Sequence, residues 1–222
     1  LIHIRGNANT TVSLMLYSPY EYLIFRGLDG KTGDNPDTRW FPREICFMLS
    51  ETDLMRDPGK LEDVFSWCML FPEIERIIFH ISSLHPETMT VYIPRLKEIG
   101  KKASLQLSTP EKDTRCGSGK PEVLIVLGKS GREEITDAIV QIARGKYDPE
   151  TITEETIESH LKYKVNPDFV IKTGGSHLTD FLIWQSVYSE LFFTDVNWSR
   201  FRRVDFFRAL RDYQSRVRKY GK

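Results

Sequence analysis

Neither sign of charge is in excess: 31 Lys and Arg stand against 31 Asp and Glu in 222 residues. A nucleic-acid binder normally carries a basic surplus, so that class loses its support and no nucleic-acid partner is expected. The three cysteines, Cys46, Cys68 and Cys116, are widely spaced and contain no CxxC pair; they read as buried, reduced thiols of a cytosolic protein. No run of about eighteen apolar residues occurs, so no transmembrane helix is expected within the chain. The chain opens at Leu1 rather than Met, which leaves room for an anchor upstream. The histidines (His3, His80, His85, His160, His177) fall at no metal-ligand spacing. A phosphate-binding P-loop is also missing. "GKSGREE" (128–134) has Val123 where a glycine is required, and "CGSGKP" (116–121) has Pro121 where Ser or Thr is required.

What is present is an ordinary core. Hydrophobic content is 40% and charged content 28%, and the length suits one sizeable domain. Six short apolar runs read as strands: 45–50, 76–82, 103–108, 122–128, 168–173 and 190–196. Several are continuous rather than alternating, which suits a sheet covered on both faces. Helical stripes lie between them. Leu61, Val64, Phe65, Cys68 and Met69 share one face, as do Ile135, Ala138, Ile139 and Ile142, and Phe206, Leu210, Tyr213 and Val217 form a last one. Ser130 and Glu133 form a capping box ahead of the second stripe. A further short helix is expected after Ser18, with Pro19 in its first position. The order argues for a mostly parallel α/β sheet with helices on both faces. Residues 1–42 form an N-terminal helix and loop extension, and 43–222 the main domain. The tail is basic: from Arg200 to Lys222 nine Lys and Arg face two Asp. It reads as a solvated helix face or as a contact with anionic lipid, which places the chain in the cytoplasm with peripheral membrane contact open.

In such a sheet ligands bind outside the carboxyl ends of the strands. Two glycine turns fall there. Gly128–Gly131 enters a capped helix, with Lys129 and Arg132 beside it. "KTGGSH" (172–177) follows a strand with Lys172 and the hydroxyls of Thr173, Ser176 and Thr179, a composition that suits a diphosphate; a plain strand-to-helix turn is the alternative. The stretch after it reads as a helix enclosed on two sides, with Phe181, Trp184, Gln185 and Tyr188 on one face and Ile183, Val187 and Glu190 on another. A buried Glu190 requires a metal, a cation or a neighbouring subunit.

"IKTGGSHLTDFLIWQSVYSELFFTDVNW", followed by "DFFRALRDYQSRVRKYG", closely resembles the C-terminal third of the cis-prenyltransferases, typified by undecaprenyl diphosphate synthase. "GREEI" (131–135), with Gly131 and Arg132, resembles that family's Gly-Gly-Arg-x-x-Ile stretch, and "FHISS" (79–83), with Ser82, its Tyr-x-Phe-Ser segment. The resemblance implies a parallel fold, a dimer and a hydrophobic tunnel. It also implies condensation of isopentenyl diphosphate onto an allylic diphosphate with Mg²⁺. Lys172 falls at an Arg of the isopentenyl diphosphate site, with Thr173, Gly174 and Gly175 in its turn and Thr179 at a Ser of that site. Glu190 falls at the Glu near the metal and the dimer interface. Lys219, Tyr220 and Gly221 resemble the tail that reaches a partner's active site.

The departures concern the donor site. The family's first strand ends in Asp-Gly-Asn-Gly-Arg-Trp, whose Asp holds Mg²⁺; here Ser50, Glu51 and Thr52 stand at Asp, Gly and Asn. Glu51 and Asp53 are the neighbouring carboxylates, each displaced along the turn. The following stretch is shorter than the family's, one residue with its Arg is missing after Gly175, and Leu84 and His85 replace a Glu and an Asn. Such losses disable charge neutralisation of a diphosphate leaving group. "EDVFSWCML" (62–70) resembles the Nogo-B receptor type, the non-catalytic subunit of heteromeric enzymes that make dolichol-type polyprenyl diphosphates. Three roles follow: an accessory subunit joined to a catalytic cis-prenyltransferase, a divergent homodimeric enzyme active alone on an unusual acceptor, and an isoprenoid carrier.

Overall fold

The computed structural model describes residues 18–29, 41–145, 147–175 and 182–216. The expected first helix, α1 (Pro19–Asp29), is followed by the central strand β1 (Glu44–Ser50). Two helices come next, α2 (Glu51–Arg56) and α3 (Lys60–Cys68), then β2 (Arg76–Ser82). A 3-10 turn (Pro86–Tyr92) and the short α4 (Ile93–Leu96) lead to β3 (Ser104–Ser108), β4 (Asp113–Cys116) and β5 (Glu122–Leu127). After α5 (Gly131–Arg144) and α6 (Glu154–His160) come β6 (Phe169–Thr173), β7 (Glu190–Thr194) and α7 (Arg203–Ser215).

All six expected strands are present, and a seventh joins them. The sheet order is β4-β3-β5-β2-β1-β6-β7, parallel throughout except for the antiparallel pair of β3 and β4. β4 escapes the sequence pattern because "DTRC" is short, charged and at an edge, where no alternation is imposed. The expected helix over the stretch before Glu190 is also corrected. Residues 182–189 form turns, closed by Ser186 N–H to the Leu182 carbonyl (3.1 Å) and Ser189 N–H to that of Ser186 (3.1 Å). Gln185 is buried while Tyr188 is 68% exposed, so Trp184, Gln185 and Tyr188 do not share one face; Phe181 lies outside the described residues. The cause is tertiary. The Gln185 amide is held by the buried Glu134 carboxylate at 2.9 Å, and the Ser189 hydroxyl donates to the Pro167 carbonyl.

Alternation along the strands divides the core. Ile45, Phe47 and Leu49 face a large cluster with Ile77, Phe79, Ile125 and Ile171, covered by α1, α3 and α7. Phe47 is fully buried, its ring stacked on Phe79 at 5.4 Å and packed near Phe206 at 6.1 Å. Cys46 and Met48 face a smaller cluster closed by Tyr163, Val165 and Leu182. Cys46 and Cys68 are buried and Cys116 partly so, all as free thiols; burial pushes the Cys46 thiol up to about 12, which leaves it inert. Two grooves, of about 360 and 320 Å³, have mostly polar and charged linings, including Arg76, Arg115 and Lys162 in the first and Lys129, Glu134 and Asp137 in the second. Neither has the apolar wall of a tunnel. Among the described residues no helix is long and apolar enough to cross a membrane. Phe47→Ala is expected to cost about 3–5 kcal/mol through its cavity, measurable as a lower urea midpoint at unchanged slope.

Candidate active site

The chain leaves β1 toward β2 and leaves β6 toward β7, in opposite directions across the sheet. The carboxyl ends of β1 and β6 therefore flank the switch point at which parallel sheets bind ligands. Ser50 pairs in register with Ser82 across β1 and β2, and Met48 with Lys172 across β1 and β6. This gathers Ser50, Ser82 and Lys172, with Gly128 at the end of β5, on one edge.

Ser50 does not open into a loop. It caps α2: its Oγ accepts the Asp53 N–H at 3.2 Å, and Asp53 Oδ2 accepts from Ser50 N–H at 3.0 Å and from Ser50 Oγ at 2.7 Å. The hydroxyl at the end of β1 and the nearest carboxylate but one are thus spent on each other. Glu51, between them, accepts from the Ser83 hydroxyl at 2.6 Å and lies 2.8 Å from the Thr88 hydroxyl. Those two hydrogen bonds hold its carboxyl below the ordinary value of 4.5, against the opposing effect of burial. Ser-x-x-Asp is the pattern already read at Ser130 and Glu133, and the same reading at Ser50 predicts α2.

The other expected residues are placed as follows. Ser82 donates to the Leu49 carbonyl at 3.3 Å. His85 is exposed, its ring 3.5 Å from Glu87, and its N–H reaches Ser83 Oγ at 3.0 Å. Gly131 begins α5 behind the capping box of Ser130 and Glu133, and Arg132 is exposed. The lysine of that turn, Lys129, is paired with Asp137 at 2.5 Å. Lys172 donates from Nζ to the Thr173 carbonyl at 2.9 Å and makes no ion pair among the described residues. Gly174 and Gly175 have φ of 72° and 130°, a left-handed turn that side chains other than glycine resist. The Gly174 N–H is taken by the Val196 carbonyl and that of Gly175 by the Thr194 carbonyl, so neither is offered to an anion. Thr179, Lys219, Tyr220 and Gly221 lie outside the described residues.

Glu190, read both as the start of the strand at 190–196 and as the last position of a helix face, is the first residue of β7. Its carboxylate accepts from Arg216 Nη1 at 3.1 Å, and the same nitrogen donates to the Leu191 carbonyl at 2.8 Å. Glu190 is only partly buried, and the cation beside it comes from the end of α7, a pairing that sequence spacing does not signal. A second network also escapes the sequence. Glu134, 2% exposed, accepts the Tyr163 N–H at 2.7 Å and the Gln185 amide at 2.9 Å. The Tyr163 hydroxyl lies 2.9 Å from Ser108 Oγ.

The residues at the strand edge do not fit a divalent cation. Asp53 is engaged by Ser50 and Glu51 by two hydroxyls, and among the described residues no three His, Cys, Asp or Glu stand close enough to hold a metal ion.

The sequence profile of the family described as "Putative undecaprenyl diphosphate synthase" matches residues 46–221, and the chain belongs to this cis-prenyltransferase family. It is 35% identical over 188 residues to an isoprenyl transferase of Thermus thermophilus, covering 79% of this chain and 70% of that protein. It is 48% identical over 198 residues to an isoprenyl transferase of Deinococcus radiodurans, covering 82% and 69%. A match of 49% identity to a Methanocaldococcus jannaschii tritrans,polycis-undecaprenyl-diphosphate synthase spans 110 residues, 45% of this chain and 39% of that protein. Lavandulyl diphosphate synthase from Lavandula x intermedia superimposes with a TM-score of 0.60 at 20% identity, over 83% of this chain and all (100%) of that one. That likeness establishes the fold.

Two outcomes are expected. Ser50→Ala should destabilise the chain by about 1 kcal/mol while Ser50→Thr, which keeps both the capping oxygen and the hydroxyl donor to Asp53, changes stability by only a few tenths; thermal melts compare them. Glu51, held ionised in the fold, contributes stability above its unfolded value that is lost as pH falls through the folded one. Wild type should therefore exceed Glu51→Gln in stability at neutral pH, and the difference should close below about pH 4, read by urea unfolding across pH.

Proposed function

We propose that this chain is the accessory subunit of a heteromeric cis-prenyltransferase, paired with a catalytic subunit of the same fold that makes a polyprenyl diphosphate from isopentenyl diphosphate and an allylic diphosphate. The Ser50–Asp53 capping box carries the reading. A diphosphate leaves only when its growing charge is met by a metal or by fixed donors. Here the hydroxyl, the amide and the carboxylate at the end of β1 already satisfy one another, and a helix stands where a phosphate cradle is needed. Mg²⁺ and the apolar tunnel are assigned to the partner.

In this reading the chain's contribution is positional. The Arg216 bridge to Glu190 and Leu191 ties the end of α7 to β7, and the residues to which the family resemblance gives a role in the partner's site, Lys219, Tyr220 and Gly221, follow it in sequence. Lys172 and its glycine turn are inherited from the isopentenyl diphosphate site. A second reading, an enzyme active alone, is favoured by Glu51. It is an ionised carboxylate one residue from the end of β1, and it would have to take the metal-binding role. The names of the matched relatives, isoprenyl transferases and a diphosphate synthase, fit both readings.

The test is incubation of the purified chain with Mg²⁺, allylic diphosphates of several lengths and labelled isopentenyl diphosphate. No extractable polyprenyl product is expected from the chain alone, and product is expected once a subunit with an intact Asp-Gly-Asn motif is added. Lys219→Ala should then lower the activity of the assembled complex by about a hundred-fold, whereas Ser50→Ala should leave it within about two-fold. Product from the chain alone, abolished by Glu51→Gln, would establish the second reading instead.

A further inference from the structure

The surface where α1 lies along α7 combines two features that rarely share one face. α1 sends Ile24 and Leu28 into the core, and leaves Tyr20, in its first turn, 53% and Leu23, on its flank, 68% exposed. α7 buries Val204, Phe206, Phe207, Leu210 and Tyr213 and turns Arg208 and Arg211 outward. Arg202, just ahead of it, has a side chain 68% exposed. The two sets are joined physically: the Arg208 guanidinium lies over the Tyr20 ring at 5.2 Å and donates to its hydroxyl at 3.0 Å. Leu23 sits one residue short of the next turn of the same helix face, so the apolar pair is bordered directly by arginine.

The acids near this face do not cancel it. Between residues 200 and 216 six arginines accompany two aspartates. Asp205 is 7% exposed and lies beneath Arg202 and Arg208, at 3.1 and 3.2 Å. Glu21 is taken by Arg203 at 3.1 Å, and Asp212 by Arg216 at 2.5 Å. Each of these carboxylates is thus paired, and Arg202, Arg208 and Arg211 remain exposed at the surface. Guanidinium suits phosphate through paired N–H donors, and a phenol beside an exposed leucine suits the boundary between headgroups and acyl chains.

We propose that the α1–α7 face docks peripherally on a bilayer containing anionic phospholipid, with Leu23 and Tyr20 entering the headgroup boundary and Arg202, Arg208 and Arg211 meeting lipid phosphates. Charge complementarity selects the occupant, and the exposed leucine distinguishes it from nucleic acid, whose backbone has no use for an aliphatic side chain. The inference does not depend on whether the chain is catalytic or accessory.

Flotation of the purified chain with vesicles of phosphatidylcholine, with and without phosphatidylglycerol, tests it. Flotation is expected with the anionic vesicles only, weakening as salt rises. Arg208→Gln combined with Arg211→Gln should reduce partitioning on the order of ten-fold or more, each cation near the surface being worth about five-fold. Leu23→Gln should reduce it several-fold without altering the salt dependence. Lys102→Gln, an exposed cation ahead of β3, should change nothing, and thermal melts establish that the variants fold. The proposal is overturned if the wild type stays in the soluble fraction at every composition, or if the variants float as the wild type does. Equal partitioning to pure phosphatidylcholine overturns it as well. So does arginine-dependent capture of RNA or of an acidic protein by a chain that ignores vesicles.

Discussion

Strand β1 has no free side: β2 and β6 pair with its two edges, and apolar clusters cover both its faces. Parallel neighbours cannot be joined by tight turns, so each crossover must leave the sheet and return over a face. The carboxyl ends of β5, β2, β1 and β6 consequently emerge together. Residues far apart in the chain, Ser50, Ser82, Gly128 and Lys172, meet there because of backbone direction rather than attraction among themselves. Phe47, fully buried between strand and helices, is one of the core side chains that keep this arrangement.

At that edge local satisfaction competes with ligand binding. A strand end that holds a diphosphate must leave donors unpaired until the ligand arrives. Among the described residues several of those donors are already used. Ser50 and Asp53 cap α2, Glu51 holds Ser83 and Thr88, and the amides of Gly174 and Gly175 bond to the strand-end carbonyls of Val196 and Thr194. Lys129 is consumed by Asp137. Each bond is modest, on the order of 1 kcal/mol net, and each engages a group that a ligand would otherwise meet. A chain built this way keeps the family fold and the surfaces that fold presents.

The sequence was read well where one element carries its own signal. Six strands, the helices at 60–68, 131–144 and 203–215, the first helix behind Pro19 and the Ser130 cap all lie where periodicity and capping placed them. It was read less well where a partner is distant. The helix expected before Glu190 is displaced by Gln185 bonding to Glu134, 51 residues away. Glu190 finds Arg216 across 26 residues. β4 is recognisable only as the antiparallel neighbour of β3. The α2 cap carries its own local signal, Ser50 three residues ahead of Asp53, at the place where the resembled family has a different motif.

Local chemistry alone therefore determined the alternation of strands and helices, the covered parallel sheet, the inert thiols and the substitution of Ser50 for a carboxylate. Those properties depend on residues within a turn or two of each other, whose preferences survive in any context. Tertiary structure decided which charges meet which partners: Glu190 with Arg216, Glu21 with Arg203, and Tyr20 with the Arg208 guanidinium. Such pairings depend on distances set by packing, and side chains separated by a hundred residues carry no mark of them in the order of the chain.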